Sequence, residues 1–127
     1  MVSHTNHVSI LVVIRCHLLV PSGAPENIIS TSLSSTSVQL SWNPPLDDQQ
    51  NGIITEYYVN VTELETGMTS QLIVSGGNQL LIDTLHPYYV YNFFISAATN
   101  VGQGPYSPMF SIQTLQDGMI KHQIIYK

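Results

Sequence analysis

A chain of 127 residues has room for one domain of ordinary size and a short tail at each end, because domains cluster near ~100–150 residues. Three Lys+Arg against eight Asp+Glu give a formal charge of −5, which argues against the phosphate attraction that nucleic-acid binders and polybasic membrane-surface binders rely on. Charged residues make up only 9% of the chain and apolar ones 43%, with Ser, Thr, Val, Ile and Tyr abundant; a β-rich fold follows, and because Cys16 stands alone no internal disulfide supports its core.

Residues 1–22 differ from the rest. They hold His4, His7, His17 and Cys16, and an apolar stretch from Val8 to Val20 broken by Arg15, Cys16 and His17. That stretch is too short to cross a bilayer, which takes about 20 apolar residues. Two readings stay open. As a signal peptide the segment has an apolar run, Ile10-Leu11-Val12-Val13-Ile14, and small residues at Ser22-Gly23-Ala24, but no Lys or Arg before the run and an arginine inside it. As an unrelated leader it needs no such features.

From residue 23 to residue 114 strands and turn signals alternate at the short spacing of an all-β sandwich, and no helical period occurs. After a first strand opened by Ala24-Pro25, Thr36 to Trp42 alternates cleanly, with Val38, Leu40 and Trp42 on one face and Ser37, Gln39 and Ser41 on the other. Pro44-Pro45 stops that strand because proline brings no backbone donor, and a polar loop runs to Gly52. In the next strand, Ile54 to Val61, Tyr57, Val59 and Val61 share the inward face while Tyr58, Asn60 and Thr62 take the other. Gln71–Ser75 fits a strand of either sheet, and Gly76-Gly77-Asn78 offers positive-φ residues for a tight connection to a strand whose Leu80 and Ile82 face inward, followed by Leu85. The longest strand spans about Tyr89 to Thr99 with Tyr91, Phe93, Ile95 and Ala97 on one face. Gly102 and Gly104 turn the chain, and Phe110 and Ile112 form a last inward pair, which makes seven strands. Residues 115–127, with Asp117-Gly118, read as a linker or a truncated continuation.

In this order the landmarks resemble a fibronectin type III domain over residues 24–114. They are Ala24-Pro25, Trp42 before Pro44-Pro45, Gly52-Ile53-Ile54 leading to Tyr57 and Val59, Leu85-x-Pro87-x-x-x-Tyr91, and Ala97 to Asn100 followed by Gly102, Gly104, Ser107 and Thr114. The resemblance implies a seven-stranded, immunoglobulin-like β-sandwich. Trp42, Tyr57, Leu85, Pro87, Tyr91 and Ala97 are then its structural core, and Tyr91 serves as a tyrosine corner whose hydroxyl bonds backbone a few residues upstream. Two departures stand out. Ser30 occupies a place where the family commonly has an inward aliphatic residue, and the disulfide of immunoglobulin domains is absent, its positions taken by strands carrying Leu40 and Phe93.

No nucleophile with a base and no set of metal ligands falls at positions such a fold would bring together, so no catalytic, cofactor-binding or metal residue is assigned. His4, His7, Cys16 and His17 sit in a leader without a scaffold, and Asp47-Asp48 reads as a solvated acidic loop rather than a calcium site. Gly102-x-Gly104 lacks the third glycine and the helix of a dinucleotide fingerprint, and no Arg-Gly-Asp occurs. Asn60-Val61-Thr62 is the single Asn-x-Ser/Thr acceptor and parity turns Asn60 outward, which makes it the glycosylation candidate. Tyr58 and Phe94 also point outward, as a partner surface or as an ordinary cross-strand pair.

The resemblance implies a non-catalytic extracellular spacer and protein-interaction module. Its partners would be neighbouring domains or cell-surface proteins, with no nucleic acid, no direct membrane insertion and a monomeric isolated domain. Thr62-Glu63-Leu64-Glu65-Thr66-Gly67 and Leu85-His86-Pro87-Tyr88-Tyr89 resemble repeats of receptor-type tyrosine phosphatases and cell-adhesion receptors. The alternative is therefore an ectodomain piece of such a phosphatase, with the catalytic domain elsewhere; a cytosolic or muscle-type array is a third reading.

Overall fold

A computed structural model of the chain describes residues 19–118. The signal-peptide and leader readings of residues 1–18, with His4, His7, Cys16 and His17, lie outside the described residues, as does the continuation at 119–127. Strands form where apolar and polar residues alternate: β1 (Glu26–Ser32), β2 (Val38–Asn43), β3 (Glu56–Glu63), β4 (Thr69–Val74), β5 (Gln79–Ile82), β6 (Val90–Ala98), β7 (Gln103–Tyr106) and β8 (Phe110–Gln113). They make two antiparallel sheets, β1-β2-β5 and β4-β3-β6 with β7 and β8 both on the free edge of β6. The core lies between them: Val38, Leu40 and Trp42 from one sheet face Tyr57, Val59, Val61, Tyr91, Phe93, Ile95 and Ala97 from the other, all buried. The Trp42 ring meets the edge of Tyr57 at 5.3 Å, and Phe93 stacks on Phe110 at 5.4 Å.

The strand count is close to the seven read from the sequence, and the extra segment has a local cause. The last strand is split by Ser107-Pro108-Met109, where proline cannot donate to the ladder. Ser107 bridges the gap, its amide donating to the Ile95 carbonyl (2.8 Å) while its hydroxyl accepts the Ile95 amide (3.0 Å). The strand that fitted either sheet joins β3, with Leu72 opposite Val59 and Val74 opposite Tyr57. The connection from β4 to β5 therefore crosses between sheets. Gly76 (φ 84°) and Gly77 (φ 82°) take the left-handed backbone, and Asn78 clamps Trp42 by amide and carbonyl bonds of 2.6 and 3.1 Å. In β1, Ser30 sits opposite Leu40, and Ile28 alone packs on the core from that strand while Ile29 is exposed.

Gly104 corrects the sequence reading: it does not turn the chain but lies inside β7. A side chain there would place its Cβ 2.6 Å from the Pro21 carbonyl oxygen, so glycine is needed for close approach. Residues 19–22, assigned to the leader by sequence, run along this end of the sandwich. Pro21 is fully buried, Thr99 Oγ1 donates to the Leu19 carbonyl (3.3 Å), Asn51 Nδ2 to the Val20 carbonyl (3.0 Å), and the Ser22 amide to the Gln49 carbonyl (2.8 Å).

Candidate interaction surface

Strand parity sends every second residue of β3 inward, so Tyr57, Val59 and Val61 are followed by Glu63, a carboxylate at the rim of the core that is only 9% exposed. Its environment explains how the charge is tolerated. Thr66 Oγ1 donates to Oε1 (2.7 Å), while His86 Nδ1 (2.6 Å) and Tyr91 Oη (3.1 Å) reach Oε2. The Thr66 and then the His86 hydrogen bonds hold the Glu63 carboxyl below the usual carboxylate range, against the opposing effect of burial. Tyr91 in turn accepts the His86 backbone amide at 2.7 Å, which ties the connection after β5 to β6. Burial first, then Glu63, pushes the Tyr91 hydroxyl up, against the His86 amide. Leu85 and Pro87 are half-buried beside it, and the Leu85 amide donates to the Thr36 carbonyl (3.0 Å), just beyond the β2–β5 ladder of the smaller sheet. Composition hides Glu63, because a glutamate reads as solvated; the period-2 parity already used for Tyr57 would have found it.

The outward face of the larger sheet is different in kind. Its central row is Gln71 on β4, Asn60 on β3 and Phe94 on β6, directly paired. Tyr58 lies between Ile73 and Ser96, and Tyr106 on β7 pairs with Ser96. Gln71 Nε2 donates to Asn60 Oδ1 (3.0 Å) and to Tyr106 Oη (3.3 Å), and the Phe94 and Tyr106 rings lie 6.0 Å apart. Tyr58 and Phe94 are therefore diagonal neighbours on one face, both half-buried. The remaining row, Thr69, Thr62, Asn92 and Ser111, is also neutral, with Thr62 bonded to Thr69 (3.0 Å). The carboxylate of this face is Glu56 at its end, which accepts the Tyr58 hydroxyl (3.0 Å) and raises that phenol's pKa.

The end of the sandwich where residues 19–22 lie carries a shallow groove lined by Asp47, Asp48, Asn51, Gly52, Ile53, Thr55, Thr99 and Asn100. Ile53 is 82% exposed there, and Val20, Leu46 and Val101 are exposed on the same loops. Among the described residues no group of three or more His, Cys, Asp or Glu side chains is placed to hold a metal, and no helix is long and apolar enough to cross a membrane. Charge is also unevenly placed. Arg15, Lys121 and Lys127 are the three basic residues, so residues 19–118 hold all eight carboxylates, one histidine and no Lys or Arg. Net charge over the whole chain conceals this; the positions of the bases reveal it.

The fibronectin type III domain model matches residues 23–113. The chain is 32% identical over 96 residues to receptor-type tyrosine-protein phosphatase F of Mus musculus, covering 76% of this chain and 5% of that protein. It is 32% identical over 108 residues to protein sidekick-1 of Gallus gallus, covering 82% and 5%. The FN5 domain of Drosophila Lar superposes with a TM-score of 0.62 at 29% identity, over 76% of this chain and 98% of that one. The chain thus spans about 5% of the length of these curated relatives. From the shared landmarks, the two-sheet topology and these matches, the chain belongs to the fibronectin type III family, as a domain of the non-catalytic kind found as ectodomain repeats in receptor phosphatases and adhesion proteins.

Proposed function

We propose that this domain is a spacer and protein-interaction module on the extracellular side of a cell-surface protein. The observation that carries the reading is where the chain enters and leaves. Leu19 and Val20 are held at Thr99 and Asn51, at one end of β6, whereas Leu115 is held by Tyr88 and Ser34 at the other. The nine residues of β6 between those points measure about 30 Å at ~3.3 Å per residue. A module strung this way transmits spacing and orientation to whatever adjoins it. The exposed Ile53, Val20, Leu46 and Val101 at the first end supply an apolar seat for a neighbouring domain. Protease treatment of intact cells that make the natural protein tests the placement. Cleavage detected by an antibody to this domain is expected, and complete protection with the cells intact would sink the extracellular reading.

A second reading is favoured by the phosphatase F match: the domain is an ectodomain piece of a receptor-type phosphatase whose catalytic domain lies elsewhere in the parent. Immunoprecipitation of the natural protein followed by a phosphotyrosine-peptide hydrolysis assay decides it, since release of phosphate is expected on this reading alone.

A further inference from the structure

We propose that Asn60 carries an N-linked glycan whose first N-acetylhexosamine lies on the Phe94 ring beside Tyr106, so that sugar rather than a protein partner occupies the outer face of the larger sheet. The inference rests on the extracellular reading above. Asn60 opens the single acceptor triplet of the chain and stands fifth of the eight residues of β3, in the middle of that face. Gln71 engages its Oδ1, and Nδ2, the atom that is glycosylated, makes no hydrogen bond among the described residues. The surroundings suit a sugar. Phe94 is directly opposite, Tyr106 lies beside it, and Tyr58 is one pair along, offering ring faces to the apolar C–H side of a pyranose. Gln71, Thr62, Thr69 and Asn92 offer neutral amides and hydroxyls to its polar edges. The one carboxylate, Glu56, is at the margin and already accepts from Tyr58. A flat protein partner could use the same aromatic and amide chemistry. The acceptor at the centre of the row decides between them, because a glycan there blocks a docked surface.

In the transfer, the Nδ2–C1 bond forms as the C1–O bond to a lipid-linked oligosaccharide pyrophosphate breaks. The lipid pyrophosphate leaves with the electron pair of the broken bond, the Nδ2 proton passes to water through the transferase base, and no redox change occurs. The test sends the full 127-residue chain through the secretory pathway of a eukaryotic cell behind a foreign signal sequence, so that Asn60 meets the transferase whatever its native N-terminal segment does. A mass increase removed by peptide N-glycosidase is expected, retained in Thr62→Ser and lost in Thr62→Ala and Asn60→Gln. Proton NMR of the protein trimmed to a single sugar then reads the stacking: an upfield ring-current displacement of sugar protons, lost in Phe94→Leu. Secreted, folded chain without sugar overturns the proposal and leaves the extracellular reading standing; so do sugar protons at the same positions in Phe94→Leu. Glycosylation behind the foreign signal together with an unmodified natural protein inside the cell overturns both.

Discussion

Removing one oxygen from Tyr91 tests whether the corner joining the two sheets is held as described. In Tyr91→Phe the ring still fills its place, so the transfer free energy of the buried aromatic is kept and only the hydroxyl is lost. That hydroxyl accepts the His86 amide at 2.7 Å and donates to Glu63 at 3.1 Å. A neutral hydrogen bond is worth about 0.5–1.5 kcal/mol net, and a buried group left without its partner costs about 1–3 kcal/mol. Tyr91 is 2% exposed, so water does not replace the lost contact freely, and the expected cost is about 2 kcal/mol. For a domain of this size that lowers Tm by roughly 8–16 °C. Urea unfolding followed by tryptophan fluorescence gives the measurement directly, since Trp42 is the single tryptophan and lies in the core. The midpoint should fall while the slope with denaturant stays constant, because the surface exposed on unfolding does not change. A loss below about 0.5 kcal/mol would show that the hydroxyl contributes no more than an exposed hydrogen bond and would refute the reasoning.

Acid should act through Glu63. Its folded-state pKa is lowered, so the carboxyl adds stability that is fully present above its unfolded value near ~4.3 and is lost as pH falls through the folded value. The urea midpoint of the wild type should therefore drop between about pH 5 and pH 3 by more than that of Glu63→Gln, and parallel curves would contradict the assignment. Gly104→Ala forces Cβ to within 2.6 Å of the Pro21 oxygen and should cost about 1–3 kcal/mol in the full chain. The same change in a chain beginning at Ala24 should cost far less; equal losses would mean that the strap at residues 19–22 is not what the glycine accommodates. Heparin affinity chromatography at low salt should show no retention of residues 19–118, which have eight carboxylates and no Lys or Arg, and binding there would contradict the charge argument.

Period-2 alternation made β2, β3 and the first part of β6 legible because there one face lies on the core and the other is more exposed, and a single register satisfies both. Where that contrast fades, the sequence says less. In β4, Thr69, Ser70, Gln71 and Ile73 are all exposed, so an edge strand with only Leu72 and Val74 turned inward carries no mark of the sheet it joins. The break at Pro108 was visible as a residue but not as a consequence, since proline is tolerated on an edge and only the register to β6 shows that one ladder becomes two segments. Gly102 and Gly104 announced a turn because glycine usually means freedom of φ; Gly102 does lie in the β6–β7 connection, where its carbonyl accepts the Thr99 amide (3.1 Å), but the use of Gly104, room for Pro21, depends on a segment about 80 residues away in sequence. Of the outer face, Tyr58, Asn60 and Phe94 follow from parity. Gln71 and Tyr106, which join them into one surface, required the register of β4 and β7.

The distribution of charge constrains how such a module can meet its neighbours. With eight carboxylates and no Lys or Arg in residues 19–118, two similarly acidic domains placed end to end repel each other. At physiological salt that repulsion is screened within about 8 Å, a distance shorter than the domain itself. Contact must then come from apolar area at the junction, and the exposed Ile53, Val20, Leu46 and Val101 lie where the chain enters, next to Asp47 and Asp48. Burying them against a neighbour favours a fixed angle, whereas leaving the two aspartates at the rim penalises a like-charged partner and favours one that brings cations. On the spacer reading proposed above, these residues would select a neighbour of apolar centre and basic rim, and Asp47→Asn with Asp48→Asn should relax that selectivity before it weakens the contact.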